Sequence, residues 1–449
     1  MHDGVIALSQ VEANGIRIDT EYLTTTIKAV TRKINKRTER MKSDWIYKKW
    51  KKQYGRDTNL GSRQQLGKIL FTILQHPCAS RTPTGKPQVD QTALEALDLP
   101  FIKDFLKVEQ LKKARSTYLQ GILRETVDGY LHPFFHLHIP ISFRGSSSDP
   151  NFQNLPIRDP KMAALIRRAF IPRKGRQIVE IDYGGAEICN ATCYHKDPRM
   201  ISYIKDKTKD LHRDMAAQCY MLPKKQVLKN VRYCGKNMFV FPQFYGDYYL
   251  HCTKSMWEAI TKMKLKTKDG LSLKKHLREK GITKRGKCDP EQRPRPGTFE
   301  KHLQEIEYDF WNRRFKVYGQ WKKDWWESYQ STGEFTTLTG FRISGNYKRN
   351  EVINYPVQGS AFHWLLWSLI RIQKLLKKYN MRTLIVGQIH DSIVADVIKK
   401  ELKNYLEIAN KVMTQDIRKH WKWINVPLTI EAEASPVDGS WFEKKEIKI

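Results

Sequence analysis

The stretch Gln177-Ile-Val-Glu-Ile-Asp182-Tyr-Gly-Gly-Ala-Glu187 decides the fold, because its structural preference changes within a few residues. Its first part is rich in β-branched residues and predicts a strand that ends at Asp182. The glycine pair that follows breaks the strand, and the residues beyond it have a helical pattern. A carboxylate therefore stands where a strand meets a loop, and there it can face a cleft.

A second carboxylate has the same kind of position. The segment from Thr383 to Val397 predicts two strands joined by a tight turn at His390-Asp391-Ser392. Two carboxylates from adjacent strands can hold a pair of Mg²⁺ ions roughly 3.5–4 Å apart, and such a site catalyses in-line phosphoryl transfer. Taken singly, each aspartate is more typical of a turn or cap residue, since aspartates are common at strand ends.

The charge of the chain points to a polyanionic partner. Its 449 residues include 80 Lys and Arg against 47 Asp and Glu, which gives a net charge of +33. Nucleic acids are the commonest polyanions, and proteins bind them through phosphate contacts. An anionic membrane would need a basic amphipathic helix or a lipidation signal, and no convincing one is found. The charge favours nucleic-acid binding, with the segment from Lys28 to Lys52 as a basic helix that can present cations.

Composition excludes several protein classes. Hydrophobic residues make up 40% of the chain and aromatic residues 11%, which argues against a disordered basic tail. No apolar run of about 18 residues predicts a membrane span, and no signal peptide is recognised. Seven cysteines without regular spacing indicate reduced thiols in an intracellular protein. Cys189 and Cys193 have no second pair near enough in sequence for a zinc site.

The pattern along the chain predicts a mixed α+β fold in which helical blocks are inserted between parts of one small sheet. Residues 20–54 and 92–128 read as long basic helices, and residues 131–175 as loops and strands. Residues 200–345 are mostly helical by pattern. A stretch rich in Lys, Arg, Gly and Pro, from Lys264 to Gly297, interrupts them and predicts a surface insertion.

A third group of residues combines cations with aromatic rings. Arg232 and Lys236 are four residues apart and share one helix face, and Phe241 and Tyr245 follow them. Two cations on one face suit a triphosphate, and aromatic rings a turn or two further on suit a base. A solvated basic face beside a core aromatic cluster explains the segment equally well when it is taken alone.

Six stretches in order closely resemble signatures of the DNA polymerase I family, or family A, and the resemblance covers the polymerase domain only. Weaker similarity, at residues 12–19 and 111–118, reaches back towards the start of the chain. The six stretches are Arg144-Gly-Ser-Ser-Ser-Asp-Pro-Asn151-Phe-Gln153-Asn154-Leu-Pro-Ile-Arg158, Asp182-Tyr-Gly-Gly-Ala-Glu187, Asp210-Leu-His212-Arg, Arg232 to Gly246, Asn354-Tyr-Pro-Val-Gln358-Gly-Ser and His390-Asp391.

The resemblance implies a right-hand polymerase fold with an antiparallel-sheet palm, helical fingers and a helical thumb. The implied boundaries are a segment leading into the palm (1–20), the thumb (21–130), the palm with the first catalytic motif (131–190), the fingers with the basic insertion 264–297 (191–345) and the palm with the last catalytic motif (346–449).

The resemblance also implies roles for single residues. Asp182 and Asp391 would bind the metal ions, assisted by the backbone carbonyl of Tyr183, and Lys236 would also act in catalysis by protonating the leaving pyrophosphate. The implied nucleotide-binding residues are Arg232, Lys236 and His212 for the triphosphate, Glu187 for exclusion of a 2′-hydroxyl, Phe241 as the aromatic selector, and Tyr245 near the templating base.

The implied DNA-binding residues lie along the minor groove of the primer–template, where acceptors are common to all base pairs. They are Arg144, Gln153, Asn154, Gln358 and His390. Helix caps and turn amides are the better interpretation for Asn151 and also compete for Asn154. For Arg144 and Gln358 the functional interpretation is preferred.

The resulting expectation is a template-directed DNA polymerase that adds deoxynucleotides to a primer 3′ end by two-metal-ion phosphoryl transfer. Its cofactors would be two Mg²⁺ ions, with Mn²⁺ as a substitute. Its partners would be primer–template DNA and deoxynucleoside triphosphates, with a separate exonuclease or processivity partner left open.

We expect a monomer without membrane contact in the cytoplasm of a bacterial or phage-infected cell, with an organelle as the alternative. A ribonucleotide-using relative of the single-subunit RNA polymerases and a non-catalytic primer–template-binding factor are the competing hypotheses.

Three departures from the family pattern carry expectations of their own. Ser392 follows Asp391 where the family usually has glutamate. The resulting His-Asp-Ser sequence resembles that of the single-subunit RNA polymerases. Lys236 and Tyr245 are nine residues apart, one more than in the bacterial repair enzymes, so a π-bulge is predicted within 236–242 that returns Phe241 to the nucleotide face. Phenylalanine at position 241, the aromatic selector, implies discrimination against dideoxynucleotides. The Phe-Pro motif favours a phage or mobile-element enzyme.

The third departure concerns proofreading. The Asp-x-Glu spacing of the family's proofreading sites is found only at Asp19-Thr-Glu21 and Asp289-Pro-Glu291. The first opens a predicted helix as capping residues, and the second lies in the basic insertion beside a proline. No 3′–5′ exonuclease is therefore predicted in this chain.

Overall fold

The fold is a mixture of helices and antiparallel sheets, seen in a computed structural model that describes residues 2–78, 81–82, 84–157 and 159–449. Arg158, which ends the first motif quoted above, lies outside the described residues, as do Met1, Ala79, Ser80 and Pro83. The strands are β1 (Ile16–Ile18), β2 (Thr126–Val127), β3 (Tyr130–Leu131), β4 (Phe134–His136), β5 (Ser146–Ser148), β6 (Phe170–Ile171), β7 (Arg176–Tyr183), β8 (Glu334–Thr336), β9 (Arg342–Ser344), β10 (Leu384–Ile389), β11 (Ser392–Ile398), β12 (Ile430–Ala434) and β13 (Lys445–Ile447).

The central sheet has the strand order β10-β11-β7-β12-β13, and every neighbouring pair is antiparallel. Side chains alternate between its two faces. On β7, Val179, Ile181 and Tyr183 pack on one side with the long helix that precedes β10. Ile178 packs on the other side, and Asp182 points there as well because it is an even number of residues away. The predicted antiparallel sheet is confirmed, and the first aspartate lies at its central strand.

Helices surround this sheet and make up most of the described chain. They are α1 (His2–Asn14), α2 (Thr20–Ser43), α3 (Trp45–Tyr54), α4 (Arg63–Gly67), α5 (Gln91–Glu95), α6 (Pro100–Lys113), α7 (Gln120–Glu125), α8 (Pro160–Arg167), α9 (Ala186–His195), α10 (Pro198–Lys205), α11 (Leu211–Cys219), α12 (Lys229–Gly235), α13 (Phe241–Phe244), α14 (Tyr249–Lys262), α15 (Leu273–Glu279), α16 (Phe299–Asp309), α17 (Lys316–Thr332), α18 (Arg349–Lys378), α19 (Leu402–Asn410) and α20 (Ile417–His420). Segments of π-helix lie at Lys68–Ile73, Ala114–Leu119, Lys236–Val240, Phe310–Arg314 and Lys411–Asp416.

Local capping explains several helix boundaries. Asp19 accepts a hydrogen bond from the backbone N–H of Tyr22 and caps α2, as the sequence predicts. Asp44 ends α2 and caps α3, so the predicted helix over 20–54 is two helices. Asp159 caps α8 and Pro160 is its first residue, a start signal inside the segment predicted as loops and strands. That segment therefore contains a helix that the apolar pattern missed.

Two further elements differ from the sequence prediction. The helical block over 200–345 ends in the hairpin β8–β9, whose register pairs Phe335 with Ile343. The predicted surface insertion 264–297 is not wholly irregular, because it contains α15, which buries Leu273 and Leu277. Among the described residues, no helix is both long and apolar enough to cross a membrane.

Candidate active site

The two predicted aspartates meet at one end of the central sheet. Asp182 is the seventh residue of β7. Asp391 and His390 form the turn between β10 and β11, where the backbone of His390 has a φ of +51°. Strand register sets Asp182 opposite Ser392, and the backbone N–H of Tyr183 donates to the carbonyl of Asp391 at 3.3 Å. The sheet thus brings together two carboxylates that are more than 200 residues apart in sequence.

The electrostatics of this pair suit a bound cation. Burial, together with the neighbouring carboxylates of Asp391 and Glu180, raises the pKa of Asp182 to about 8. Asp182 Oδ1 is buried and has no hydrogen-bond partner among the described residues. Oxygen ligands of this kind fit Mg²⁺, which commonly uses one or two carboxylates together with substrate phosphates. No group of three or more His, Cys, Asp or Glu side chains suited to a metal occurs in the described part of the chain, either here or at Cys189 and Cys193.

We expect the metal-free protein to lose stability as the pH rises from about 4 to about 8. The pKa of Asp182 is about 8 in the folded chain against an ordinary value of 3.8, so the folded chain keeps a proton that the unfolded chain releases in this interval. Asp182→Asn removes this loss, and at pH 8 its melting temperature in a chelator should exceed that of the wild type by about 2 °C or more. The measurement is thermal unfolding by circular dichroism across this pH range.

Adding Mg²⁺ at pH 8 supplies the control for this prediction. The ion should raise the melting temperature of the wild type and leave that of Asp182→Asn almost unchanged. Parallel pH profiles of the two proteins in chelator would contradict the assignment of the titration to Asp182.

A third acidic residue, Glu180, lies beside the pair and was not singled out by the sequence. Ser392 Oγ donates to Glu180 Oε1 at 3.1 Å, and Trp441 Nε1 and Lys444 Nζ donate to Oε2 at 2.9 and 2.5 Å. Burial alone would raise the pKa of Glu180, but Lys444 and Trp441 more than offset this and keep it below its ordinary value. The carboxylate of Glu180, on the neighbouring strand β7, therefore contacts Ser392, although Ser392 itself carries no carboxylate.

The predicted phosphate-binding cations lie on two helices in close contact. At Gly235 an added Cβ would lie 2.7 Å from the carbonyl oxygen of His212 and from the Cβ of Ala216, so α11 and α12 can approach this closely only at glycine. The contact brings His212 next to Arg232 and Lys236. Burial, together with these two cations, lowers the pKa of His212 to about 4, so its imidazole is neutral at pH 7 in the unliganded chain.

Arg232 already has an anionic partner. Its Nε donates to Asp210 Oδ2 at 2.6 Å, and Asp210 also caps α11 by accepting from the N–H of Arg213. Lys236 makes no ion pair within the described residues, and its Nζ lies 5.4 Å from the centre of the Phe241 ring. Lys236 is thus the less restrained of the two predicted triphosphate ligands.

The predicted π-bulge is confirmed. Residues Lys236–Val240 form a π-helix directly before α13, whose second residue is Pro242. The extra residue is absorbed there, and the rings of Phe241 and Tyr245 stack with centroids 5.9 Å apart and an interplanar angle of 11°. His212 lies 5.8 Å from the Phe241 ring, so the cations and the aromatic rings share one face.

Glu187 lies on the same side of the site, in the first turn of α9. The hydroxyl of Tyr245 donates to Glu187 Oε2, and Arg144 Nη1 lies 4.0 Å from Oε1. Burial and the charge of Glu187 raise the pKa of Tyr245 above its ordinary value, so this hydroxyl keeps its proton. Three elements distant in sequence thereby fix the position of one carboxylate.

The predicted DNA-binding residues have different environments. Gln153 is 8% exposed and donates to Gln388 Oε1 at 2.5 Å, and Gln388 in turn donates to the carbonyl of His390 at 2.7 Å. Asn154 is exposed, and Gln358 is half-buried on α18. The prediction that Asn151 is a cap is confirmed, because its side chain accepts from the N–H of Asn154 at 3.2 Å. Gln388, which buttresses the His390 turn, is a further residue that the sequence did not indicate.

Comparison with known proteins identifies the family. The model of DNA polymerase family A matches residues 24–257 and 308–441. The chain is 26% identical over 455 residues to the thermostable DNA polymerase I of Thermus aquaticus, covering 98% of this chain and 47% of that protein. It is 26% identical over 428 residues to the DNA polymerase of Bacillus phage SP01, covering 88% of this chain and 42% of that protein. The chain thus spans about half the length of the curated relatives it matches.

A solved structure shares the fold. The POL domain of Pol1 from M. smegmatis, in complex with DNA primer-template and dNTP, superposes with a TM-score of 0.75 at 22% identity and covers 98% of this chain and 70% of that one. The internal stretch left unmatched by the family model, 258–307, includes the predicted insertion 264–297. Since the family model matches most of its residues, the chain belongs to DNA polymerase family A.

Proposed function

We propose that the chain is a template-directed DNA polymerase that adds deoxynucleotides to a primer 3′ end by two-metal-ion phosphoryl transfer. The observation that carries the proposal is the meeting of Asp182 and Asp391 at one sheet end, with a buried carboxylate oxygen left without a partner. Asp182, Asp391 and the Tyr183 carbonyl would hold two Mg²⁺ ions, or Mn²⁺ in their place. When bound, the ions activate the primer hydroxyl and neutralise charge on the leaving pyrophosphate.

In this proposal the chain's own residues bind and orient the nucleotide. Lys236 and Arg232 hold the triphosphate, and neutral His212 donates a hydrogen bond to it. Lys236, whose ammonium has no carboxylate partner among the described residues, is suited to deliver a proton to the pyrophosphate. The stacked rings of Phe241 and Tyr245 form one wall of the nucleotide pocket, and Glu187 fills the space that a ribose 2′-hydroxyl would take.

The same proposal assigns subdomains to the fold. The central sheet with 131–190 and 346–449 is the palm, into which residues 1–20 lead; the helices of 21–130 are the thumb, and 191–345 are the fingers. Arg144, Gln153, Asn154, Gln358 and His390 would follow the minor groove, with Gln153 acting through Gln388. Primer–template DNA and deoxynucleoside triphosphates are the partners. Neither Asp-x-Glu triplet lies on a strand, which supports the absence of a proofreading site from the described residues.

Templated extension tests the function directly. Four primer–templates that differ only in the first templating base are incubated with Mg²⁺ and one deoxynucleotide at a time. We expect addition only of the nucleotide complementary to each template, and none in chelator. Addition that ignores the template, or no addition by folded protein that binds the DNA, would contradict the proposal.

The thumb helices should affect affinity and leave chemistry intact. Neutralising the four exposed lysines of α3 should flatten the dependence of log K on log salt by up to about 3–4, because each lysine at a duplex phosphate contributes about 0.9. The rate of single-turnover extension at saturating DNA should stay nearly constant. Binding is measured by fluorescence anisotropy at several salt concentrations, with glutamine at Lys48, Lys49, Lys51 and Lys52.

A matched control removes the same charge elsewhere. Glutamine at four other exposed lysines, Lys399, Lys400, Lys403 and Lys419, should change the salt slope much less. Equal slopes for the two variants, or a loss of single-turnover rate in the α3 variant, would refute the assigned role of these helices.

A further inference from the structure

The stretch 258–307, which the family model does not match, encloses a cavity of about 430 Å³ between α14 and the loop that precedes α16. Its lining is strongly cationic. The positively charged side chains on the wall are Lys284, Arg285, Lys287, Arg293 and Arg295. A single carboxylate, that of Glu300, also lines the cavity.

These five cations outnumber the one carboxylate, that of Glu300, on the cavity wall. None of them forms an ion pair with a carboxylate in the described part of the chain, whereas cations on the helices on either side do. Lys262 pairs with Glu258 at 3.0 Å, and Lys301 pairs with Glu305 at 3.6 Å. Like charges gathered around one cavity repel each other and raise its positive potential, so the cavity attracts an anion.

One side of the cavity wall is anchored to α16. The backbone N–H groups of Phe299 and Glu300 donate to the carbonyls of Lys284 and Arg285 at 2.9 and 2.8 Å, which joins the loop to the first turn of α16. Gly286 has a φ of +105°, and an added Cβ there would collide with the side chain of Glu300, which is 3% exposed. The backbone that carries Lys284 and Arg285 is therefore anchored before any ligand arrives, which lowers the entropy cost of binding at this part of the wall.

An aromatic ring completes the lining. Trp257 of α14 is half-buried, lines the cavity and packs on Phe299 with ring centroids 5.5 Å apart. Proteins bind single-stranded nucleic acids by combining a cationic groove for the phosphates with aromatic side chains on which bases stack. A cavity of this size, with five cations and one accessible ring, fits a short stretch of unpaired strand.

The position of the cavity suggests which strand it takes. Helix α14 begins four residues after Tyr245, and Trp257 is eight residues into it, which corresponds to about 12 Å along the helix axis. Roughly three to four nucleotides span this length at the ~3.4 Å rise of stacked DNA, and the residues between Tyr245 and α14 add to it. We propose that the cavity binds the single-stranded 5′ extension of the template at least three to four nucleotides ahead of the nucleotide site; this rests on the proposed function.

The test compares templates that differ in extension length. The variant is Arg293→Gln/Arg295→Gln, and its charge-matched control is Lys399→Gln/Lys400→Gln. These two lysines are exposed and follow the last residue of β11, whereas Asp391 precedes the first residue of that strand. For a labelled primer–template with an eight-nucleotide 5′ extension, the variant should bind about tenfold more weakly, with a salt slope smaller by about 1.4. For a one-nucleotide extension, its affinity should stay within twofold of the wild type. The control should not distinguish the two DNAs.

Crosslinking gives a second measurement on the wild-type chain. A photoreactive 5-iodouracil, placed at successive positions from three nucleotides ahead of the templating base, should crosslink to peptides from 257–300, and one placed in the duplex should not. An equal effect of the variant on both extension lengths, or crosslinks confined to other peptides, would overturn the proposal.

Neither measurement requires catalysis, so the two proposals fail separately. A chain that shows the extension-dependent binding but adds no nucleotide would contradict the polymerase function and support the cavity. Normal templated addition with binding that is independent of extension length would overturn the cavity alone.

Discussion

Replacing Asp391 with asparagine should lower the rate of nucleotide addition by about a hundredfold to a thousandfold, the scale on which loss of a preorganised electrostatic group slows an enzyme. Asp391 lies in the turn beside Asp182, and its carboxylate shares the proposed metal position with that of Asp182, whereas nearby Glu180 is paired with Lys444. An amide keeps the shape of the side chain but removes the negative charge that a divalent cation needs. The measurement is single-turnover primer extension with saturating DNA, nucleotide and Mg²⁺.

The control for this prediction removes the same charge at a distant surface. Asp324 is exposed on α17, and Asp324→Asn should extend primers at the wild-type rate. Both variants should bind primer–template and unfold at temperatures close to that of the wild type. Extension by Asp391→Asn within tenfold of the wild-type rate would show that the metal site has been placed wrongly.

Those features of the site that depend on local sequence could be predicted. A β-branched run that ends at Asp182 and a tight turn at Asp391 each follow from a few neighbouring residues, and the sheet then brings them together. The π-helix at Lys236–Val240 could also be predicted, because one extra residue between a cation and an aromatic ring must be absorbed before Pro242. In each case the signal and the structure lie within one segment.

Contacts between distant segments could not be predicted from the sequence in this way. Glu180 and Lys444 are 264 residues apart, and nothing near either residue indicates the ion pair. The same holds for Gln153 and Gln388, which are 235 residues apart and meet only because the segment of Gln153 packs on β10. The helix face and the family resemblance predict a phosphate contact for Arg232, but its partner Asp210 depends on how α11 packs on α12.

The Ser392 departure illustrates the difference. From the sequence, a missing carboxylate beside Asp391 leaves the DNA and RNA polymerase interpretations in competition. In the fold, the strand register brings Glu180 of β7 to the same face of the sheet, where it accepts a hydrogen bond from Ser392. The carboxylate of Glu180 therefore lies next to the site. This side of the sheet keeps an acidic group although residue 392 is serine.

Replacing Glu187 with alanine should raise the incorporation of ribonucleotides relative to deoxynucleotides by about a hundredfold, within the range that the shape of a pocket can provide. The carboxylate of Glu187 is held by the Tyr245 hydroxyl on one side and faces Arg144 on the other. A side chain restrained in this way cannot move aside for a 2′-hydroxyl, and alanine opens the space. Single-nucleotide extension with matched ribo- and deoxynucleoside triphosphates measures the ratio of kcat/KM values.

The conservative variant Tyr245→Phe separates the restraint from the carboxylate itself. It keeps the ring that stacks on Phe241 and deletes only the hydroxyl that donates to Glu187. Loss of one hydrogen bond to a charged group is worth about 1.5–3 kcal/mol, so selectivity should fall by about tenfold or more, but by less than in Glu187→Ala.

If selectivity depends on a fixed carboxylate, the double variant Glu187→Ala/Tyr245→Phe should be no less selective than Glu187→Ala, because the hydroxyl of Tyr245 has no carboxylate to hold once Glu187 is replaced. Unchanged selectivity in Glu187→Ala would reject the assignment and favour a chain that accepts ribonucleotides, whereas additive losses in the double variant would assign Tyr245 a separate contact with the sugar.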